Sequence, residues 1–166
     1  SLGSGKGLSS LAAAEAAGGE YEAVVPASLR PNYQKERDRW TDLRTPAKII
    51  SYTAVGQGKA DADAPETLIA DESQRLRSPD SQQTQKFKEL ASRAKRLLLL
   101  SGSPIVNRAG DLAVPTGLLT GKEMTPEEFE GRYAGKRRDW PTLSGLLTGT
   151  PGEEHPAIAN REELKQ

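Results

Sequence analysis

Residues 68–82 read LIADESQRLRSPDSQ. With Thr67 in front, the stretch opens as a short apolar run and stops abruptly at two acids, Asp71 and Glu72. The run has no polar–apolar alternation, which suits a strand buried on both faces of a parallel sheet. Three other runs have the same character: residues 22–26 (EAVVP), 48–52 (KIISY) and 96–101 (RLLLLS). Each is too short for a buried helix and is bounded by turn or polar residues.

Helical patterns lie between these runs. Residues 5–17 are rich in Ala and Leu and end at Gly18-Gly19, a helix stop. Residues 28–40 follow Pro26 and are charged and amphipathic. Residues 82–94 place Phe87, Leu90 and Ala94 on one helical face. Thr125-Pro126-Glu127-Glu128 is a helix start, with Thr as cap, Pro at the first position and acids in the first turn. Strands alternating with helices predict an open α/β sheet with right-handed crossovers. Residues 57–65 (QGKADADAP) read as a polar loop without apolar anchors, and 148–156 as an irregular Pro/Gly-rich stretch.

The 166 residues suffice for one domain, and Lys plus Arg equal Asp plus Glu at 23 each. No global field therefore draws in nucleic acid or an anionic membrane, so any basic surface is local. The absence of Cys excludes disulfides, thiolate metal sites and a Cys nucleophile. The one His, His155, leaves no basis for a multi-His metal centre. No apolar run approaches the roughly 18 residues of a membrane span. No leader pattern is present. The expectation is a soluble protein, cytoplasmic, or nuclear in a eukaryote.

Ligands of open α/β sheets bind where the strands end. After the third run come Asp71-Glu72-Ser73-Gln74, and after the fourth Ser101-Gly102-Ser103-Pro104. Ahead of the first helix stands Gly3-Ser4-Gly5-Lys6-Gly7. Backbone N–H groups of a Gly-rich loop and a helix N-terminus can cradle phosphate oxygens, and a Lys there can neutralise them. An Asp at a strand end suits Mg²⁺, which prefers oxygen ligands. The adjacent Glu can take a proton from an attacking water. The conjunction is more specific than any single part.

In these motifs the sequence resembles the first RecA-like lobe of a superfamily-two helicase, in particular the Swi/Snf-type DNA translocases. GSGKG (3–7) resembles the end of motif I, and VVPASLRPNYQKE (24–36) motif Ia. IISY (49–52) resembles the strand before the Asp-Glu box of DEAD/DEAH-type proteins, and LIADESQRLRSPDSQ motif II. RLLLLSGSPIVN (96–107) resembles motif III, and LLTGKEMTPEEFEGRY (118–133) the segment behind it.

The resemblance implies a RecA-like P-loop three-layer sandwich with a mostly parallel sheet, shortened at its N-terminus. The lobe is expected over residues 1–147, with 148–166 beginning a following segment, and the resemblance itself covers most of residues 3–133. It implies ATP and Mg²⁺ as cofactors. Gly3, Ser4, Gly5, Lys6 and Gly7 would hold the triphosphate. Asp71, with Glu72, would hold the metal, Glu72 would activate water, and with it and Lys6 the catalytic set would include Gln74, coupling the nucleotide to the opposite lobe. Ser101, Gly102 and Ser103 would couple hydrolysis to DNA. Pro26, Ala27 and Ser28 would meet the backbone of duplex DNA. A second RecA-like lobe would complete the motor and bring the arginine fingers, worth orders of magnitude in rate.

Two departures stand out. Gly7 replaces the Ser or Thr whose hydroxyl holds Mg²⁺, and Gln74 stands where many relatives have His. On its own the chain is expected to be a poor ATPase. The alternative is a catalytically inactive lobe that binds DNA or protein; a P-loop kinase or GTPase is a weaker third reading. Blander readings stay open for single features. The acid pair could cap a turn, and Ser101 to Pro104 could be an ordinary turn. Leu97 to Leu100 are expected in the core, Lys136-Arg137-Arg138 on a solvated face, Trp40 and Trp140 at the core margin, and His155 in an exposed loop.

Overall fold

The computed structural model describes residues 5–40, 45, 47–60 and 65–134, with Trp40 described by its backbone alone. Gly3, Ser4, Lys136-Arg137-Arg138, Trp140, His155 and residues 148–166 lie outside the described residues.

Four parallel strands form one sheet: β1 (Tyr21–Val25), β2 (Ala47–Ser51), β3 (Thr67–Ala70) and β4 (Arg96–Leu99), in the order β2-β1-β3-β4. Each run predicted from sequence is a strand. The two central ones, β1 and β3, are buried along their whole length, as their unbroken apolar runs require.

Successive side chains on a strand point to opposite faces, and two cores result. On one face Tyr21, Ala23, Val25, Ile49 and Ile69 pack against Leu11 and Ala14 of α1 (Lys6–Ala17) and Tyr33 of α2 (Arg30–Trp40). On the other, Val24, Ile50, Leu68 and Ala70 pack against three helices. These are α3 (Tyr52–Gly56), α4 (Gln82–Ala91) and α5 (Ala113–Thr120). Phe87 and Leu90 of α4 fill this second core, with the Phe87 ring centroid 6.4 Å from that of Tyr52. Each fully buried aliphatic or aromatic side chain contributes about 1.5–3 kcal/mol. A small third cluster joins Ala113 to Phe129 and Tyr133 of α6 (Pro126–Tyr133). Thr125 and Glu128 cap α6 reciprocally, at 3.1 and 2.8 Å.

Three expectations need correction and one needs refinement. The second strand ends at Ser51, because its side chain accepts the Ala54 N–H at 3.2 Å and starts a helix at Tyr52. α4 ends at Ala91, and Ala94 lies in the turn beyond it while still touching the core. Leu97 to Leu100 do pack against the two cores, as expected, but stay half-buried, and β4 pairs with β3 alone among the described strands. The segment from Gln57 to Pro65 does have apolar anchors: Ala60 packs on the second core and Pro65 is buried.

Candidate functional site

Parallel register sets the strand ends level, with Val24 opposite Ala70 and Ala70 opposite Leu99. Pro26-Ala27-Ser28, Asp71-Glu72 and Ser101 therefore leave the sheet at one end. The N-terminus of α1 reaches the same end, since Lys6 Nζ lies 3.6 Å from Glu72 Oε1.

Gly5 caps α1 with φ 71°, a left-handed conformation that glycine adopts without strain, and its carbonyl accepts the Ser9 N–H at 2.9 Å. Lys6 and Gly7 occupy the first turn. After β3, the Asp71 N–H donates to Val24 O at 2.9 Å, and Tyr52 Oη donates to Asp71 O at 2.8 Å. Asp71 is buried, and its Oδ1 accepts the Glu72 N–H at 3.0 Å.

Glu72 is the only non-glycine residue with positive φ among the described residues, at φ 54° and ψ 50°. A left-handed non-glycine residue costs about 1–2 kcal/mol and is a frequent mark of functional sites. From Glu72 a hydrogen-bond chain runs sideways. Gln74 Nε2 donates to Glu72 Oε2 at 2.5 Å, Ser101 Oγ donates to Gln74 Oε1 at 2.6 Å, and the Ser103 N–H donates to Ser101 Oγ at 3.1 Å. The Ser73 N–H, donating to Leu100 O at 2.8 Å, fixes the two loops side by side.

The acids titrate in opposite directions. Burial pushes Asp71 above the usual carboxylate range, and Glu72 and Glu36 add like-charge repulsion; its bond from the Glu72 N–H and the charge of Lys6 oppose this. The hydrogen bond from Gln74 leads in holding Glu72 below that range, with Lys6 and the Gly102 N–H assisting. The environment thus disfavours the charge of one carboxyl and favours that of its neighbour, each relative to its ordinary range.

Of the residues predicted from sequence, Lys6, Glu72, Gln74 and Ser101 form one connected set. Gly5, Gly7 and Asp71 border it, and Gly102 and Ser103 continue it. Pro26, Ala27 and Ser28 lie at the same sheet end, with Ala27 to Leu29 in a single 3₁₀ turn, but no bond ties them to the set. The donor chemistry fits Mg²⁺. Asp71 and Glu72 offer hard oxygens, and Mg²⁺ is commonly held by one or two carboxylates plus substrate phosphates. Among the described residues no three Asp, Glu or His side chains converge into an all-protein metal cage. A separate polar cleft of about 360 Å³ beside α6 is lined by Arg77, Asp80, Asn107, Arg108, Asp111 and Glu127, and by none of the connected set.

Sequence reasoning missed Tyr33 and Glu36 of α2, which close over Gly7. A Cβ on Gly7 would lie 2.8 Å from Glu36 Oε2 and 3.2 Å from Tyr33 Cε2. The signal was Gly7 itself, since a glycine in the first helical turn marks a close approach.

The sheet order, the helices on both faces and the loops at one end define a RecA-like α/β lobe. Comparison with known proteins agrees. No protein-family model matches the chain. A Drosophila melanogaster protein, "SWI/SNF-related matrix-associated actin-dependent regulator of chromatin subfamily A-like protein 1", is 33% identical over 98 residues, covering 59% of this chain and 12% of that protein. The Sulfolobus solfataricus SWI2/SNF2 ATPase core, solved in complex with dsDNA, superposes with a TM-score of 0.66 at 18% identity, covering 89% of this chain and 36% of that one. The chain thus resembles a Swi/Snf-type RecA-like lobe in both sequence and fold, and spans only a part of either relative. No described helix is long and apolar enough to cross a membrane.

Proposed function

We propose that the chain is the ATP-binding lobe of a Swi/Snf-like DNA-dependent ATPase, extending over residues 1–147. The observation that carries this reading is the chain of contacts from Lys6 through Glu72 and Gln74 to Ser101, which joins three separate loops at one sheet end. In this reading Gly3 to Gly7 and the N-terminus of α1 receive the triphosphate, and Lys6 exchanges Glu72 for phosphate oxygens. Asp71 holds Mg²⁺, which when bound neutralises charge on the phosphates. Glu72, kept anionic by Gln74, orients water for in-line attack on the γ-phosphate. Ser101 senses the change through Gln74. Duplex DNA lies along Pro26, Ala27 and Ser28 by backbone contact, and a second RecA-like lobe completes the motor.

Titration calorimetry with ATP, with and without Mg²⁺, tests this reading against Lys6→Ala. Micromolar-to-millimolar binding that Lys6→Ala abolishes supports it. Gly7 favours a second reading, an inactive lobe that serves as a DNA- or protein-binding module. Absence of nucleotide binding in the unaltered chain would select that alternative.

A further inference from the structure

In the family this chain resembles, position 7 brings an oxygen to the metal; here it has no side chain. The space beside it is filled from α2. Glu36 Oε2 stands 2.8 Å from where a Cβ of residue 7 would be, and the Tyr33 ring stands 3.2 Å from it. This approach is fixed rather than casual. Tyr33 is buried, its hydroxyl lies 2.6 Å from Ser10 Oγ, and Ser10 Oγ donates to the Gly7 carbonyl at 2.8 Å. Glu36 lies three residues beyond Tyr33 and so shares its helix face. Asn32 Nδ2 donates to the other carboxylate oxygen, Oε1, at 3.4 Å, while Oε2 is the oxygen turned towards Gly7.

We propose that Glu36, a carboxylate of α2 packed against the first turn of α1, supplies the oxygen that position 7 lacks and binds, with Asp71, the divalent cation accompanying a nucleotide. The inference rests on the phosphate-binding reading of Gly3 to Gly7. A carboxylate is not an equivalent exchange for a hydroxyl, because it carries charge. Glu72 and Glu36 both repel the charge of Asp71, and Lys6, 3.6 Å from Glu72 Oε1, opposes them. A polyphosphate arriving without metal meets net repulsion, and one arriving with Mg²⁺ meets hard oxygen ligands. Nucleotide binding should therefore depend unusually strongly on the metal.

The test is calorimetric titration of ADP into the chain, with Mg²⁺ and with chelator, for the unaltered protein, Glu36→Gln and Glu89→Gln. Glu89 is an exposed acid on α4 and controls for bulk charge. In Glu36→Gln, affinity for metal-free ADP should rise and affinity with Mg²⁺ should fall. The Mg²⁺ enhancement should shrink by about tenfold, the scale seen when a supporting metal contact is lost. Glu89→Gln should leave the enhancement unchanged. An undiminished enhancement in Glu36→Gln, or an equal loss in Glu89→Gln, overturns the role of Glu36 and leaves the phosphate loop standing. No ADP binding by the unaltered chain under either condition overturns both.

Discussion

Ser101 Oγ donates to Gln74 Oε1 at 2.6 Å, and the amide nitrogen of the same Gln74 donates to Glu72. One side chain thus reads the loop after β4 and sets the charge of the acid after β3. Its bond to Glu72 favours the anion, so its removal should raise the Glu72 pKa. Gln74→Leu should show this by carbon-detected carboxyl titration in NMR. Ser101→Ala should have a weaker effect of the same sign, because it only loosens Gln74. An unchanged Glu72 titration in Gln74→Leu would mean that Lys6 and the Gly102 N–H suffice.

Asp71 makes the opposite prediction. Its folded pKa is raised, led by burial, so the folded state binds the proton more tightly than the unfolded state. Its contribution to stability therefore declines as pH rises through the ordinary Asp range and the raised value above it. Asp71→Asn keeps an oxygen for the Glu72 N–H and removes the buried charge. It should stabilise the chain at neutral pH by on the order of 1 kcal/mol, a typical gain for one favourable change. The gain should vanish below the ordinary Asp pKa. Urea unfolding at neutral and acidic pH measures the difference, and a gain independent of pH would point to packing instead.

Asp111 reverses that sign. Its Oδ2 accepts N–H groups from Val106 at 2.9 Å, Asn107 at 2.7 Å and Arg108 at 3.3 Å. Burial opposes the charge, but these bonds hold the carboxyl below the usual range. The stability it supplies is present above the ordinary Asp pKa and is lost as pH falls through the depressed folded value. Asp111→Ala removes a charged acceptor that three backbone N–H groups of exposed residues 106–108 share, and should cost about 1–3 kcal/mol at neutral pH. The cost should shrink in acid. Equal costs at both pH values would refute the role of its charge.

Gly7 shows where sequence reading stopped. The central strands were legible because burial on both faces leaves an unbroken apolar run, as in Thr67 to Ala70. The loops were legible because glycines and acids interrupt those runs. The place of Leu97 to Leu100 on an outer strand among those described was not, since a run of leucines does not reveal which strands flank it. The helix at Tyr52 was hidden because an aromatic residue continues a strand pattern until Ser51 caps it. The packing of Tyr33 and Glu36 on Gly7 is a long-range approach without local periodicity. It predicts that Gly7→Thr overpacks the α1–α2 contact and costs about 1–3 kcal/mol. Adding Glu36→Ala should recover part of that cost, as expected for two contacting positions. Additive costs in denaturant unfolding would show that Tyr33 alone sets the limit.

The left-handed backbone of Glu72 offers a test of whether the site stores strain. Glu72→Ala and Glu72→Gly both delete the carboxylate, its bond from Gln74 and its pairing with Lys6, so those losses cancel in the comparison. What remains is the conformational difference at φ 54°. Alanine keeps the penalty for a Cβ in the left-handed region, and glycine does not. Glycine also gains entropy in the unfolded chain, which offsets part of that relief. The net expectation is that Glu72→Gly is more stable than Glu72→Ala by about 1 kcal/mol in urea unfolding. If the alanine variant proved as stable, the turn would have relaxed once the side chain left. The strain would then be held by the Gln74 and Lys6 contacts rather than by the Ser73–Leu100 bond that anchors the loop.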